Sequence, residues 1–160
     1  WMPRVLLRLL DLYGSKRLTL EGERRDVYWS LWGENGQADK VYLLNTDWTR
    51  VGNEKQIALV TPSARMEVPV REGAMREISL FEGGFCWAED PAVSITRISS
   101  GEIETDYQVC AMEDTVLRFS ASRPVMVTAG EESRVIKGEA EWKLDFPKAE
   151  PVFLRIRPVK

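Results

Sequence analysis

Any chemistry in this chain has to be done without histidine, because its 160 residues contain none. That removes Ser-His-Asp and Cys-His nucleophilic arrangements. The two cysteines, Cys86 and Cys110, are too few for a four-cysteine zinc site, and His-rich zinc sites go with the missing histidine. No P-loop or dinucleotide-binding glycine fingerprint occurs. Carboxylates remain. Glu102, Glu104 and Asp106 alternate along a predicted strand and so project from one face. Residues two apart on a strand are separated by about 6–7 Å, within the span that a glycosidase acid pair needs. One of the pair would also need a pKa raised by burial. The competing reading is a solvated strand face, the usual fate of charged side chains. Glu89-Asp90, ahead of Pro91, reads as loop polarity.

Two further groups offer binding rather than catalysis. Asn45, Asp47, Asn53 and Glu54 place oxygen ligands around one loop. Ca2+ takes about six to eight oxygens, so calcium is the one cofactor the sequence raises. The loop lacks EF-hand spacing, and Asx turn chemistry accounts for the same residues. The second group is the six tryptophans. Trp29 alternates with Val27 and Leu31, and Trp142 with Leu144, so both are expected in the core. Trp32 ends a strand, Trp48 falls in a polar loop, and Trp87 follows Gly83-Gly84 in an aromatic patch that reads as loop. These three are the candidate carbohydrate-binding residues, since a pyranose presents apolar C–H faces to an indole. The competing reading packs them over the ends of the fold or against another domain.

The bulk properties narrow the partners. A net charge of −3 and a pI of about 5.2 lack the basic footprint of a nucleic-acid binder. The longest apolar run, Val5 to Leu10, is interrupted by Arg8 and falls far short of the roughly 20 residues that span a bilayer. The chain begins Trp1-Met2-Pro3, which reads as a fragment excised from a longer protein. An extracellular or periplasmic parent would suit such a fragment, and the sequence leaves its location open. Cys86 and Cys110 are either two thiols or a bridge.

One segment must be helical if the pattern holds. Pro3 suits a first turn; Arg4, Arg8 and Asp11 form one stripe; Val5, Leu6, Leu7, Leu9, Leu10, Leu12 and Tyr13 fill the remainder; Gly14 stops it. A helix this apolar needs cover on most sides, which points to a domain upstream of residues 1–16. From Arg17 onward, short alternating runs separated by turns give about a dozen strands at roughly 8–12-residue spacing. The expected fold is all-β, an antiparallel β-sandwich of one or two packed β-units with one N-terminal helix. Turn chemistry near Phe81–Gly84 allows a boundary, giving a first unit over 17–82 and a second, tightly packed on it, over 83–160. In the strand Val41–Thr46, Val41 and Leu43 take one face and Tyr42 and Leu44 the other, so both faces are expected to be covered.

The run Val41-Tyr42-Leu43-Leu44-Asn45-Thr46-Asp47, a loop, then Lys55-Gln56-Ile57-Ala58-Leu59, resembles the strand–Asn–turn–strand hairpin near the start of C-terminal β-sandwich domains in large glycoside hydrolases and related carbohydrate-active enzymes. The resemblance covers about the first third of the chain. In those proteins a helix at the end of the catalytic barrel leads into such a sandwich, which is the order seen here. It implies a non-catalytic accessory region that braces an upstream catalytic domain or contacts glycan, with the barrel outside this chain. The alternatives are a carbohydrate-binding module using Trp32, Trp48 and Trp87, and an adhesion or structural domain that docks protein through an edge strand.

Overall fold

The computed structural model describes residues 18–34, 37–49, 51–61, 64–101, 104–146 and 150–159. The helix expected over residues 1–16 lies outside them. The described residues form twelve strands: β1 (Thr19–Gly22), β2 (Val27–Glu34), β3 (Gln37–Asn45), β4 (Glu54–Val60), β5 (Arg65–Arg71), β6 (Met75–Phe81), β7 (Gly84–Ala88), β8 (Ser94–Ser100), β9 (Thr105–Cys110), β10 (Thr115–Ala129), β11 (Glu132–Leu144) and β12 (Val152–Pro158). Every strand pairing is antiparallel. The all-β expectation is met in these residues.

Two sheets result. The small one has the order β1-β4-β5; the large one runs β2-β3-β6-β7-β10-β12-β9-β8, with β11 added beside β10. Alternation builds the small sheet: Met66, Val68 and Val70 of β5, with Ile57 and Leu59 of β4, point one way and are buried. They pack on Val41, Leu43, Ile78, Phe85 and Trp87 of the large sheet to make a first core. The rest of the large sheet curls on itself. Its last strand, β8, returns to β6, where Ile95 N–H donates to Glu77 Oε1 (3.0 Å) and Ser79 Oγ donates to the Ile95 carbonyl (3.2 Å). This half-barrel encloses a second core that includes Tyr107, Val109, Leu117, Phe119, Trp142 and Ile156.

Strand β7 is the wall between the two cores. Phe85 and Trp87 belong to the first, Cys86 and Ala88 to the second, and all five of its residues are buried. This corrects the sequence reading of Phe85-Cys86-Trp87 as loop: a strand covered on both faces is apolar at consecutive positions and shows no alternation. Gly84 is required at its start, because a Cβ there would collide with the Ser120 carbonyl and the Phe81 ring. The sheet is continuous across Glu82-Gly83, where β6 pairs with β7 from Ile78↔Trp87 to Phe81↔Gly84.

Between Thr115 and Leu144 the chain forms two long strands, longer than the short runs expected after Arg17. β10 bends at an irregularity between Ala121 and Val125 and pairs with β11 on both sides of it. Its other edge pairs with β7 before the bend and with β12 after it. Pro124, which has no N–H to give a ladder, sits at the bend. The expected cover over Tyr42 and Leu44 is also corrected. Both are only half-buried; β8 packs on β6 and reaches β3 at the Arg97–Asp39 ion pair (3.2 Å).

Candidate functional site

Three strands set side chains in register on the face of the large sheet that continues, at Ser79↔Cys86, into the second core. Across β2, β3 and β6 the rows are Tyr28–Leu44–Met75, Ser30–Tyr42–Glu77 and Trp32–Lys40–Ser79. Tyr28 is 56% exposed, Trp32 62% and Met75 55%. The Trp32 and Tyr42 rings meet edge to face, with centroids 6.3 Å apart and planes at 85°. Trp32 Nε1–H donates to Ser30 Oγ at 3.1 Å, which fixes the indole on the sheet. Beside it, Lys40 Nζ lies 2.8 Å from Glu77 Oε1, and both side chains are largely covered. Burial, followed by the Glu77 charge, pushes the Tyr42 phenol up. Tyr28 and Trp32, four strand residues apart, stand about 13 Å apart on this face, and the half-buried Tyr42 ring is set nearly perpendicular to the indole. The charged groups of the face neutralise one another, leaving ring faces and the Met75 thioether for contact.

Trp48 lies elsewhere. It follows Asn45 at the opposite end of β3 from Trp32's partner Lys40, and it is 67% exposed. Its ring lies against Gly73, where a Cβ would stand 2.9 Å from Cζ3. The loop beneath it is held by Asx bonding. Asn45 Nδ2 donates to the carbonyls of Val70 (3.1 Å) and Asn53 (3.4 Å), and Asn45 Oδ1 accepts from Asp47 N–H (3.0 Å). Asp47 Oδ1 accepts from Thr49 N–H and Oγ1, and Asp47 Oδ2 from Asn53 Nδ2 at 2.9 Å. The Lys55 ammonium, almost wholly covered, stands 3.2 Å from Asp47 Oδ2 and donates to the Arg25 carbonyl. The Thr49 hydroxyl, then the Lys55 ammonium, holds the Asp47 carboxyl at about 2.

The four proposed oxygen ligands are therefore not gathered around an open position. Asn45, Asp47 and Asn53 converge, and a lysine supplies the positive charge there. Glu54 turns away to the strand surface, where it meets Arg71 Nε (3.3 Å) and Gln56 Nε2 (3.2 Å). Among the described residues no group of three or more Asp, Glu or Cys side chains is arranged to hold a metal ion.

Trp87 is 3% exposed, in the middle of β7, and a buried indole offers no face to a sugar. This corrects its expected place among the exposed aromatics. The guanidinium carbons of Arg76 and Arg118 stand 4.7 and 5.9 Å from its ring centroid. Arg76 is itself buried and donates through Nη1 to the carbonyls of Ala88 (2.7 Å) and Glu89 (2.6 Å). Desolvation lowers its pKa.

The carboxylates are paired. Glu102 lies outside the described residues. Arg155 Nε stands 2.8 Å from Asp106 Oδ1 and 3.8 Å from Glu104 Oε2, and Ser99 Oγ donates to Asp106 Oδ2 at 2.9 Å. The Arg155 hydrogen bond lowers the Asp106 pKa, the reverse of what a general acid needs. Glu89 pairs with Arg118, and Asp90 accepts from Ala92 N–H at 2.8 Å. Both cysteines are free, and burial pushes the Cys86 thiol up to about 12.

Of the three tryptophans singled out in the sequence, the structure gives Trp32 a platform, Trp48 a separate corner and Trp87 a buried place. The companions of Trp32 on its face, Tyr28, Tyr42 and Met75, were missed as site residues. Period-two alternation puts Tyr28 with Trp32, but only the β2–β3–β6 register brings the other two beside them. No family model, curated protein or solved structure matches this chain. Among the described residues no helix is long and apolar enough to cross a membrane.

Proposed function

We propose that this chain is a non-catalytic accessory β-sandwich region of a multidomain carbohydrate-active enzyme, and that it contacts glycan through the exposed, Trp32-bearing part of β2, β3 and β6. The observation that carries the reading is the in-register aromatic face of Trp32, Tyr42 and Tyr28, with its polar neighbours already paired. Exposed apolar patches on a folded domain mark contact surfaces. A flat indole edged by a second ring matches the C–H face of a pyranose. The hairpin that resembles accessory sandwiches of glycoside hydrolases supports the enzyme context. Asn45 at its turn ties β3 to the chain at Val70 and Asn53.

The test is affinity electrophoresis of this chain in gels containing soluble β-1,4-glucan, xylan, galactan or α-1,4-glucan. Retardation by at least one polymer is expected. Trp32→Ala should abolish it, at a cost of about 1–3 kcal/mol in binding for one stacked ring. Trp48→Ala should leave it in place. Migration unaffected by every polymer, or retardation that survives Trp32→Ala, ends the glycan reading. The bracing reading has its own support in the apolar row Tyr28–Leu44–Met75, which a protein domain would cover. It predicts association with the parent's catalytic domain that is lost on Met75→Glu.

A further inference from the structure

The free edges of this fold are protected unequally. A free strand edge offers unpaired N–H and C=O groups to any passing strand, and folded proteins blunt it with charge, proline, bulges or shortness. β1 has only four residues and carries Glu21. β5 carries Arg65, Glu67, Pro69 and Arg71. β8 carries Arg97 and a bulge between Arg97 and Ser99. β11 spans 13 residues and carries Glu132, Arg134, Lys137, Glu139, Glu141 and Lys143.

β2 stands apart. Among the described residues it pairs with β3 alone. Its one charge, Glu34, comes at its last residue and its pairing with β3 shifts register between Trp32 and Gly33; from Val27 to Gly33 it has no charge and no proline, and no residue in that span is buried. Val27, Trp29 and Leu31 point toward the first core yet are only half-buried, so apolar surface on that side stays open to water. Its other face carries Tyr28 and Trp32.

We infer that β2 is a pairing edge and that its occupant is the β2 strand of a second copy of this chain. The strand is complementary to itself. An antiparallel pair about a twofold axis at Ser30 sets Tyr28 of one copy opposite Trp32 of the other on one face. It sets Trp29 opposite Leu31 on the face toward the first core and leaves Ser30 opposite Ser30. Large apolar groups meet large apolar groups on both faces, the pairing that stabilises sheets most. No like charges meet between Val27 and Gly33; the carboxylates Asp26 and Glu34 come opposite one another only at the two ends of the pair. The two large sheets become one, and the aromatic faces of both copies join side by side. The inference does not rest on the glycan reading, because it needs only the β2 edge and the side chains that edge sets opposite one another.

Analytical ultracentrifugation of the full chain tests it without any ligand. A dimer that dissociates on dilution is expected. Ser30→Lys and Ser30→Glu each place like charges opposite one another at the axis, so each alone should lose the dimer. An equimolar mixture of the two should regain it. The axis also brings position 30 of the two copies within about 4.5–5.5 Å Cα to Cα, inside the range of a disulfide. In a Cys110→Ser background, Ser30→Cys should therefore cross-link under mild oxidation, and this arm does not depend on the charged variants folding. A wild-type chain that stays monomeric at high micromolar concentration overturns the inference. A dimer that persists in Ser30→Lys, that the mixture does not restore, or that Ser30→Cys does not cross-link overturns the β2 pairing.

Discussion

Trp32 and Trp87 lie in the same sheet on opposite faces, and their surroundings differ in almost every respect. Trp87 is roofed by the small sheet and two guanidinium groups. Trp32 has one edge-on neighbour and open water above it. The residue type is the same and the strand context similar. What separates them is whether a second layer passes over that part of the sheet. Burial assigns Trp87 to stability, and exposure leaves Trp32 free for contact.

That contrast can be broken by truncating each ring. Trp87→Ala empties the junction of β6, β7 and β10 and leaves Arg76 facing a void, so a loss of about 3–5 kcal/mol in unfolding free energy is expected. Urea denaturation followed by far-UV circular dichroism measures it. A loss near zero would mean that the junction collapses without cost and that the ring is not a structural keystone.

Acid sharpens the comparison from a third place, the corner under Trp48. The folded Asp47 carboxyl is lowered from the ordinary 3.8 to about 2, chiefly by the Thr49 hydroxyl. A depressed folded value means that its stabilisation is complete above about pH 4 and is lost as the pH falls through about 2. Asp106 and Asp114 are lowered as well and act in the same direction. The urea midpoint should therefore fall over that window, and Asp47→Asn should flatten part of the fall. An unchanged slope in Asp47→Asn would show that the loop under Trp48 contributes nothing to acid sensitivity.

The smallest effect belongs to Trp32→Ala. Losing one exposed edge-to-face pair should cost about 0.5–1 kcal/mol, whatever it does to binding. A loss matching that of Trp87→Ala would place Trp32 in the same class and remove the distinction.

Much of the fold was legible in the residues. Alternation is visible in β4, β5, β6 and β12, because each has a wetter and a drier face. The same rule failed at Phe85-Cys86-Trp87, where both faces are dry. It failed again at Ser122-Arg123-Pro124, where a bulge hides the continuity of β10. At the candidate site, Trp32 was legible as a strand-end aromatic. Tyr42 was read as covered, because a strand apolar on both faces looks the same whether its second layer is present or missing.

Composition and spacing alone determined that this chain offers no histidine-based chemistry and that the described elements after Arg17 are strands. These are properties of single residues and their near neighbours. Which tryptophan is roofed, where the Lys55 ammonium goes and which strand pairs on one side alone among the described residues were decided by the tertiary structure. Each depends on strands distant in sequence being laid side by side, and local pattern carries no record of that order.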